Sequence, residues 1–104
     1  MLSKKKRVTK DIFQTILKRG SIISGSFFLF RYTPYSTPAY AFVVSKKIAK
    51  TAVKRNSLRR VGYNILRKQE LRPVSGVFFY KKEALRAEPK EVENDIVSIL
   101  KKLK

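Results

Sequence analysis

Residues 39–60 read AYAFVVSKKIAKTAVKRNSLRR. The opening segment, AYAFVVS (39–45), is rich in aromatic and β-branched residues and therefore predicts a strand. Because side chains alternate along a strand, Tyr40, Phe42 and Val44 are expected to share one face. Two lysines follow this strand at once. The stretch thus predicts a strand that ends in a cluster of positive charge.

A long helix is predicted next, from Ala52 to about Gln69. Thr51 is a suitable N-cap for it, and Pro73 would stop any continuation. At about 100° per residue, one arc of this helix is apolar and is expected to pack on a sheet. That arc holds Leu58, Val61, Gly62 and Ile65.

Another arc of the same helix is basic. It holds Arg55, Asn56, Arg59, Arg60 and Arg67. Like charges four residues apart repel by about a few tenths of a kcal/mol per pair, so this arrangement does not by itself stabilise the helix. Arginine matches the geometry of phosphate oxygens, and an asparagine amide both donates and accepts hydrogen bonds. The arc predicts a polyanion-binding face, with a local hydrogen bond within the helix as the alternative role of Asn56.

The remaining segments extend this unit to an order of α, β-rich, α, β, α. They comprise a helix capped by Thr9 and running to about Arg19, a strand region over 21–32 interrupted near Gly25, a turn or loop over 33–38, a strand over 74–82 and a helix beginning near Pro89. A mixed sheet with helices packed on it fits this order. We expect residues 1–104 to form one domain, in which residues 1–8 are a flexible basic arm.

Positive charge is the strongest signal in the composition. The chain has 25 Lys and Arg against 7 Asp and Glu, and its formal net charge is +18. Residues 1–69 contain 17 of the basic residues and one acid, Asp11. Such a charge attracts polyanions, of which nucleic acid is the obvious one. An ordinary solvated surface and a membrane-surface role are the alternatives.

Missing residue types exclude several kinds of chemistry. The chain has no Cys and no His, which excludes disulfides, thiolate catalysis and a histidine general base. No apolar run approaches the ~20 residues of a membrane span, and no secretory signal follows the basic start. We therefore expect a cytoplasmic protein with no membrane partner and no obligate protein partner. Because six of the seven acids follow residue 69, a two-metal carboxylate site in the protein is not expected.

The central motif resembles the signature of the bacterial ribonuclease P protein subunit. In that family a strand ends in V-S-K-K, and after a short linker A-V-x-R-N-x-x-[KR]-R opens a helix. VSKK (44–47) and AVKRNSLRR (52–60) match this pattern, and LSKKKRVTKDIFQTILKRG (2–20) is similar to the opening segment of the family. Ser57 and Leu17 depart from it, since the family usually has Arg at the first position and often has Phe at the second.

The resemblance implies a fold and an RNA-based enzyme. The implied fold is an α/β (α+β) two-layer sandwich, with a mixed four-stranded sheet, three helices in the order α-β-β-β-α-β-α, and a left-handed βαβ crossover. The implied enzyme is an endonuclease whose catalytic subunit is RNA and which removes the 5′ leader of precursor tRNA. The resemblance also implies that Mg²⁺ is held by the RNA and not by protein side chains.

Two binding surfaces follow from the resemblance. For the ribonuclease P RNA it implies Arg55, Asn56, Arg59 and Arg60, to which the same helix adds Lys54 and Arg67. For the precursor tRNA 5′ leader it implies a cleft between the first helix and the sheet, formed by Phe13, Phe27, Phe30, Ser45, Lys46 and Lys47, with Lys81 and Lys82 at its rim. For any one of these phenylalanines, ordinary core packing is the stronger alternative.

Three other classes of protein fit parts of the sequence. A small basic ribosomal or other structural RNA-binding protein has the same composition and lacks only the VSKK and RNxxRR combination. A DNA-binding module is less well supported, because the chain shows neither helix-turn-helix spacing nor zinc ligands. A free-standing protein nuclease is the least supported, since the basic region holds only one carboxylate.

Overall fold

A four-stranded mixed sheet with helices on both faces forms the molecule. The computed structural model describes residues 10–35 and 38–103. Its elements are α1 (Lys10–Arg19), β1 (Ser21–Ser24), β2 (Phe28–Pro34), β3 (Ala39–Val43), α2 (Ala52–Arg67), β4 (Val74–Tyr80), a 3-10 helix (Lys82–Arg86) and α3 (Pro89–Lys101). The predicted order of helices and strands is confirmed. The arm predicted for residues 1–8 and the Thr9 cap lie outside the described residues.

The strands lie in the order β1-β2-β4-β3. β1 pairs with β2, and β2 with β4, in antiparallel fashion, whereas β3 and β4 are parallel. Since α2 connects these two parallel neighbours, the predicted βαβ crossover is confirmed, and its left-handedness stays a prediction. β2 continues into the segment predicted as a loop, because Thr33 pairs with Ser75 and Pro34 with Val74. Pro34 ends the strand, where its missing N–H costs no further pairing.

One face of the sheet forms the main core under α2 and α3. Its aromatic layer consists of Phe28, Phe30, Tyr40, Phe42, Phe78 and Tyr80. The predicted apolar face of β3 is buried there, and so are Val92, Ile96, Ile99 and Leu100 of α3. On α2 the buried residues are Gly62, Ile65 and Leu66, whereas Val61 is 37% exposed. The prediction for Val61 was wrong. The side of α2 that packs on the sheet is centred on Gly62, Ile65 and Leu66, so Val61 lies at its margin and faces solvent.

The other face of the sheet packs against α1. Ile16 of α1 and Val77 of β4 are both fully buried, although neither belongs to the main core cluster. The Arg31 guanidinium on β2 donates a hydrogen bond to the carbonyl of Leu17, at 3.2 Å. α1 lies over β2 and β4. β3 is an edge strand of the sheet. Its residue Val43 is only half-buried.

Asp95 on α3 fixes the turn between β1 and β2. Its two carboxylate oxygens accept hydrogen bonds from the backbone N–H groups of Ser26 and Phe27, each at 2.9 Å. A Cβ atom on Gly25 would lie only 2.6 Å from the Asp95 Oδ1 atom, so the turn needs glycine at this position. The interruption predicted near Gly25 is confirmed by this turn.

Candidate nucleic-acid interface

α2 carries five basic residues and no acid. The helix begins after Thr51, whose hydroxyl oxygen accepts a hydrogen bond from the Lys54 N–H at 3.2 Å. Because Gly62, Ile65 and Leu66 anchor one side of α2 in the core, the opposite side must face solvent. The sequence spacing of the basic residues therefore becomes a fixed pattern on the outer surface.

A depression of about 620 Å³ lies on this outer side of α2. Its lining residues are Asn56, Arg59, Arg60, Tyr63, Asn64 and Arg67, and we call it the α2 depression. The Arg59 guanidinium donates a hydrogen bond to the amide oxygen of Asn56, which leaves the amide NH₂ group as a donor. Four of the six residues predicted for RNA binding thus open onto one surface.

Tyr63 and Asn64 were not predicted as site residues. Tyr63 lies four residues after Arg59 and Asn64 four residues after Arg60, so they fall on the same side of α2. The signal in the sequence is their position on the same helix face as the arginines, which the charge pattern alone does not reveal.

Arg55 lies differently from the other arginines of α2. Its Nη1 atom donates to the carbonyl oxygens of Ala49 and Lys50, each at 3.0 Å. The side chain is half-buried and ties the β3–α2 loop to the start of the helix. One nitrogen of the Arg55 guanidinium is therefore bonded to protein carbonyls, and Lys54 is exposed one residue earlier, outside the α2 depression.

Three aromatic residues hold α2 close to the sheet. A Cβ atom on Gly62 would lie 2.6 Å from a ring carbon of Phe42 and 2.8 Å from the hydroxyl of Tyr80. The Tyr80 hydroxyl donates a hydrogen bond to the carbonyl of Leu58, and burial raises the pKa of Tyr80 well above its usual range. The Phe42 N–H on the sheet edge donates to the Tyr63 hydroxyl at 3.3 Å. These contacts hold α2, and Tyr63 in the lining of its depression, against β3 and β4.

A second cluster of positive charge lies where β3 and β4 end. The two strands are parallel and Val43 pairs with Phe79, so the segments that follow both strands emerge at the same edge of the sheet. Ser45, Lys46 and Lys47 follow β3 and are exposed, and Lys82 is exposed after β4.

Lys81 is held by the β1–β2 turn. Its ammonium donates to the Ser24 hydroxyl at 2.8 Å and to the Gly25 carbonyl at 2.7 Å. Because both acceptors lie where β1 enters the turn, the ammonium of Lys81 helps to fix the turn. Lys82, in contrast, has its exposed side chain on the first turn of the 3-10 helix.

An aromatic pair lies beside this second cluster on the α1 face of the sheet. The rings of Phe13 and Phe79 are 6.3 Å apart at an angle of 50°, and both residues are half-buried. Phe79 was not predicted as a site residue. It follows the core residue Phe78 on β4, so strand alternation places its side chain on the opposite face of the sheet. We call Phe13, Phe79, Ser45, Lys46, Lys47 and Lys82 the strand-end site.

Residues 2–104 match the family model for ribonuclease P. The chain belongs to the ribonuclease P protein family. It is a protein subunit of ribonuclease P, which acts in tRNA processing, and RNA binding and leader binding fit the family in general. A sequence comparison with curated proteins finds no match.

The fold of the chain is that of solved ribonuclease P proteins. The protein from Thermotoga maritima superimposes with a TM-score of 0.84 at 22% identity, over 98% of this chain and 99% of that one. The Staphylococcus aureus protein gives a TM-score of 0.81 at 21% identity, over 94% of each chain. A mutant of the S. aureus protein described as defective in mRNA degradation gives 0.83 at 22% identity, over 94% of this chain and 87% of that one.

Phe30 cannot serve in a leader cleft of this ribonuclease P protein. It is fully buried in the main core, and its ring centroid lies 4.3 Å from that of Phe78 and 6.2 Å from that of Tyr40. Its side chain therefore points to the face that α2 and α3 cover, away from Phe13 on α1. The expectation that Phe30 stacks on a leader base is corrected for this reason.

Phe27 also lies apart from Phe13. It packs against the main core cluster, and its N–H is bonded to Asp95 on α3. The surface around it contains Glu91 and Asp95, two carboxylates that repel a phosphate backbone. Phe27 is therefore assigned to the β1–β2 turn and left out of the strand-end site.

The described residues offer no carboxylate cluster for a metal. Within residues 10–35 and 38–103, no group of three or more His, Cys, Asp or Glu side chains is placed to hold an ion. Mg²⁺ prefers oxygen ligands such as carboxylates, so these residues do not fit a protein-bound catalytic metal.

In the same part of the chain, no helix has the length and apolarity to cross a membrane.

Proposed function

We propose that the α2 depression binds the catalytic RNA of ribonuclease P. The observation that carries this proposal is the convergence of Arg59, Arg60 and Arg67 on one depression of a helix without acids. Planar guanidinium groups bind phosphate oxygens in pairs. Three of them on one rigid helix form a fixed surface for a folded RNA backbone, and the RNA relieves their mutual repulsion.

The strand-end site is proposed to hold the 5′ leader of precursor tRNA. Single strands bind where cations follow the backbone and aromatic rings meet unpaired bases. Lys46, Lys47 and Lys82 supply the cations. Phe13 and Phe79 supply the aromatic surface, and both lie on the sheet face that α1 covers in part. Lys81 supports this site by holding the neighbouring turn.

In this proposal the protein binds and the RNA carries the chemistry. Cleavage of a phosphodiester bond usually uses divalent metals held by oxygen ligands. The donor set of the described residues does not supply them, so Mg²⁺ is assigned to the RNA. The protein lowers phosphate repulsion between the catalytic RNA and its substrate. We place this activity in the bacterial cytoplasm.

The salt dependence of RNA binding tests the role of α2. The logarithm of the affinity falls linearly with the logarithm of the salt concentration, and each lost phosphate contact lowers the slope by about one. We expect Arg59→Ala combined with Arg60→Ala to weaken binding of the ribonuclease P RNA and to lower the slope by roughly two. The measurement is a filter-binding titration of the full chain at several salt concentrations.

Arg86→Ala is the matched control for this titration. Arg86 is exposed at the end of the 3-10 helix and lies outside both proposed sites. It should therefore leave the slope close to that of the unchanged protein. An unchanged slope in the double α2 variant, with a lowered slope in Arg86→Ala, would move the RNA contact away from α2.

A further inference from the structure

Tyr63 is one of the residues that line the α2 depression. Arg59 precedes it by four residues and Arg67 follows it by four, so one arginine lies on the same helix face in each direction from Tyr63. Arg60 lies three residues before it on the same face. The only aromatic side chain in the lining of the depression is therefore bordered by its three arginines.

Two contacts with β3 hold the Tyr63 ring in place. Its hydroxyl oxygen accepts the N–H of Phe42 at 3.3 Å. The two rings meet edge to face, with centroids 4.9 Å apart and an angle of 76°. The ring is half-buried on this side and borders the depression on the other. A ring that is already ordered loses little conformational entropy when a ligand stacks on it.

We propose that the α2 depression is a binding site for one unpaired RNA nucleotide whose base stacks on Tyr63. This inference rests on the proposed function, in which α2 binds RNA. The volume of about 620 Å³ falls within the range of pockets for small ligands, ~300–1,000 Å³. A phosphate group alone would use the arginines and leave the aromatic surface uncovered.

The phosphate and the base of a nucleotide both find partners in this depression. The guanidinium groups of Arg60 and Arg67 suit its phosphate. The amide of Asn64 both donates and accepts, and the Asn56 NH₂ group donates, so both suit the edge of a base. The Tyr63 ring suits the face of any base, since every base has a π-face. The site is therefore expected to accept an unpaired base with little preference for its identity.

A single tryptophan tests this stacking directly. The chain contains no Trp, so Tyr63→Trp introduces the only indole fluorophore. We expect saturating ribonuclease P RNA to quench its emission strongly, because a base stacks on the ring. Tyr35→Trp is the control: Tyr35 is 42% exposed and lies outside the α2 depression, so its emission should hardly change. Separate titrations with ribonuclease P RNA and with precursor tRNA show which RNA supplies the base.

Affinity measurements separate stacking from charge. Tyr63→Phe keeps the ring and is expected to bind the RNA nearly as well as the unchanged protein. Tyr63→Leu loses the ring and should weaken binding roughly 5- to 150-fold, the range of one base stack. The salt slope should stay the same in both variants, because stacking releases no counterions. Circular dichroism checks that each variant is folded.

The outcomes for the two proposals differ. If RNA binds Tyr63→Trp tightly and its emission does not change, the stacking site is wrong while RNA binding by α2 stands. A Tyr63→Leu variant that is folded and binds as tightly as Tyr63→Phe also overturns the stacking site. If the unchanged protein binds neither RNA, the proposed function itself fails.

Discussion

At the scale of single residues, the arginines of α2 divide into two groups. Arg59, Arg60 and Arg67 open onto the α2 depression, whereas Arg55 is bonded to two carbonyls of the β3–α2 loop. The spacing of the motif predicted the first group, since residues three and four apart share a helix face. It could not predict the role of Arg55, because that role depends on where the loop places its carbonyl oxygens.

Removing Arg55 should therefore affect stability more than charge-driven binding. Arg55→Ala removes two hydrogen bonds from a charged donor, and we expect the free energy of unfolding to fall by about 1 to 2 kcal/mol. Urea unfolding measures this change. In filter binding, the salt slope of Arg55→Ala should match that of the unchanged protein. A stable variant with a slope lowered by about one would instead make Arg55 a phosphate ligand.

Buried tyrosines give the protein an alkaline limit. Burial raises the pKa of Tyr40 to about 12, and its hydroxyl donates to the Arg72 carbonyl at 2.9 Å. Between pH 10 and 12 the unfolded chain loses this proton while the folded protein keeps it, so stability falls as the pH rises. Urea midpoints across this range should decline less steeply in Tyr40→Phe. An equal decline in both proteins would contradict this role of Tyr40.

At the scale of elements, the defining feature of α2 is that it packs very close to β3 and β4. The close approach needs the absence of a side chain at Gly62. The sequence predicted that Gly62 faces the sheet, from its place on the apolar arc. It could not show how near the helix comes, because that distance depends on how Phe42 and Tyr80 are oriented in the folded core.

Gly62→Ala should destabilise the protein although alanine favours helices. Its Cβ atom would lie 2.6 Å from the Phe42 ring, so the helix or the ring must move. Such overpacking typically costs about 1 to 3 kcal/mol, against a gain of about 1 kcal/mol in helix propensity. Urea unfolding measures the net effect, and Ser57→Ala on the exposed side of α2 is the control. A more stable Gly62→Ala protein would show that α2 is not tightly packed on the sheet.

At the scale of the whole molecule, the two proposed RNA sites lie on different sides of one sheet. α2 packs on the face that holds the main core, and the Phe13–Phe79 pair lies on the face that α1 covers. The β3–α2 loop joins them, since it carries Lys46 and Lys47 at one end and is tied to Arg55 at the other. Under the two proposed assignments, one small protein contacts a catalytic RNA and a substrate strand together.

Aromatic residues mark the limit of prediction from sequence at this scale. The segment FFLFRY (27–32) has aromatics at adjacent positions, so alternation alone does not say which face of the sheet each one takes. Phe30 was assigned to the leader cleft but lies in the core. Phe79 was missed because its strand, VSGVFFY (74–80), is apolar on both faces. Only the packing of α1 on one side and of α2 and α3 on the other distinguishes the two faces.

The strand-end lysines should act on the leader alone. Lys46→Ala combined with Lys47→Ala removes two cations from a single-strand site, so the salt slope for precursor tRNA binding should fall by roughly one to one and a half. Affinity for mature tRNA, which has no leader, should stay the same. Lys101→Ala with Lys102→Ala, two exposed lysines at the end of α3, is the control. Equal losses for both tRNAs would contradict leader binding.

A tethered cleavage reagent tests the contact between α2 and the catalytic RNA most directly. The chain has no Cys, so Ser57→Cys on the exposed side of α2 and Ser98→Cys on α3 each provide one attachment point for a hydroxyl-radical probe. Ser98 lies near Ser26 and Phe27, at the β1–β2 turn. RNA binding by α2 predicts strand breaks in the ribonuclease P RNA from the probe at position 57 and few from position 98. Breaks from position 98 with none from position 57, in a complex of normal affinity, would contradict it.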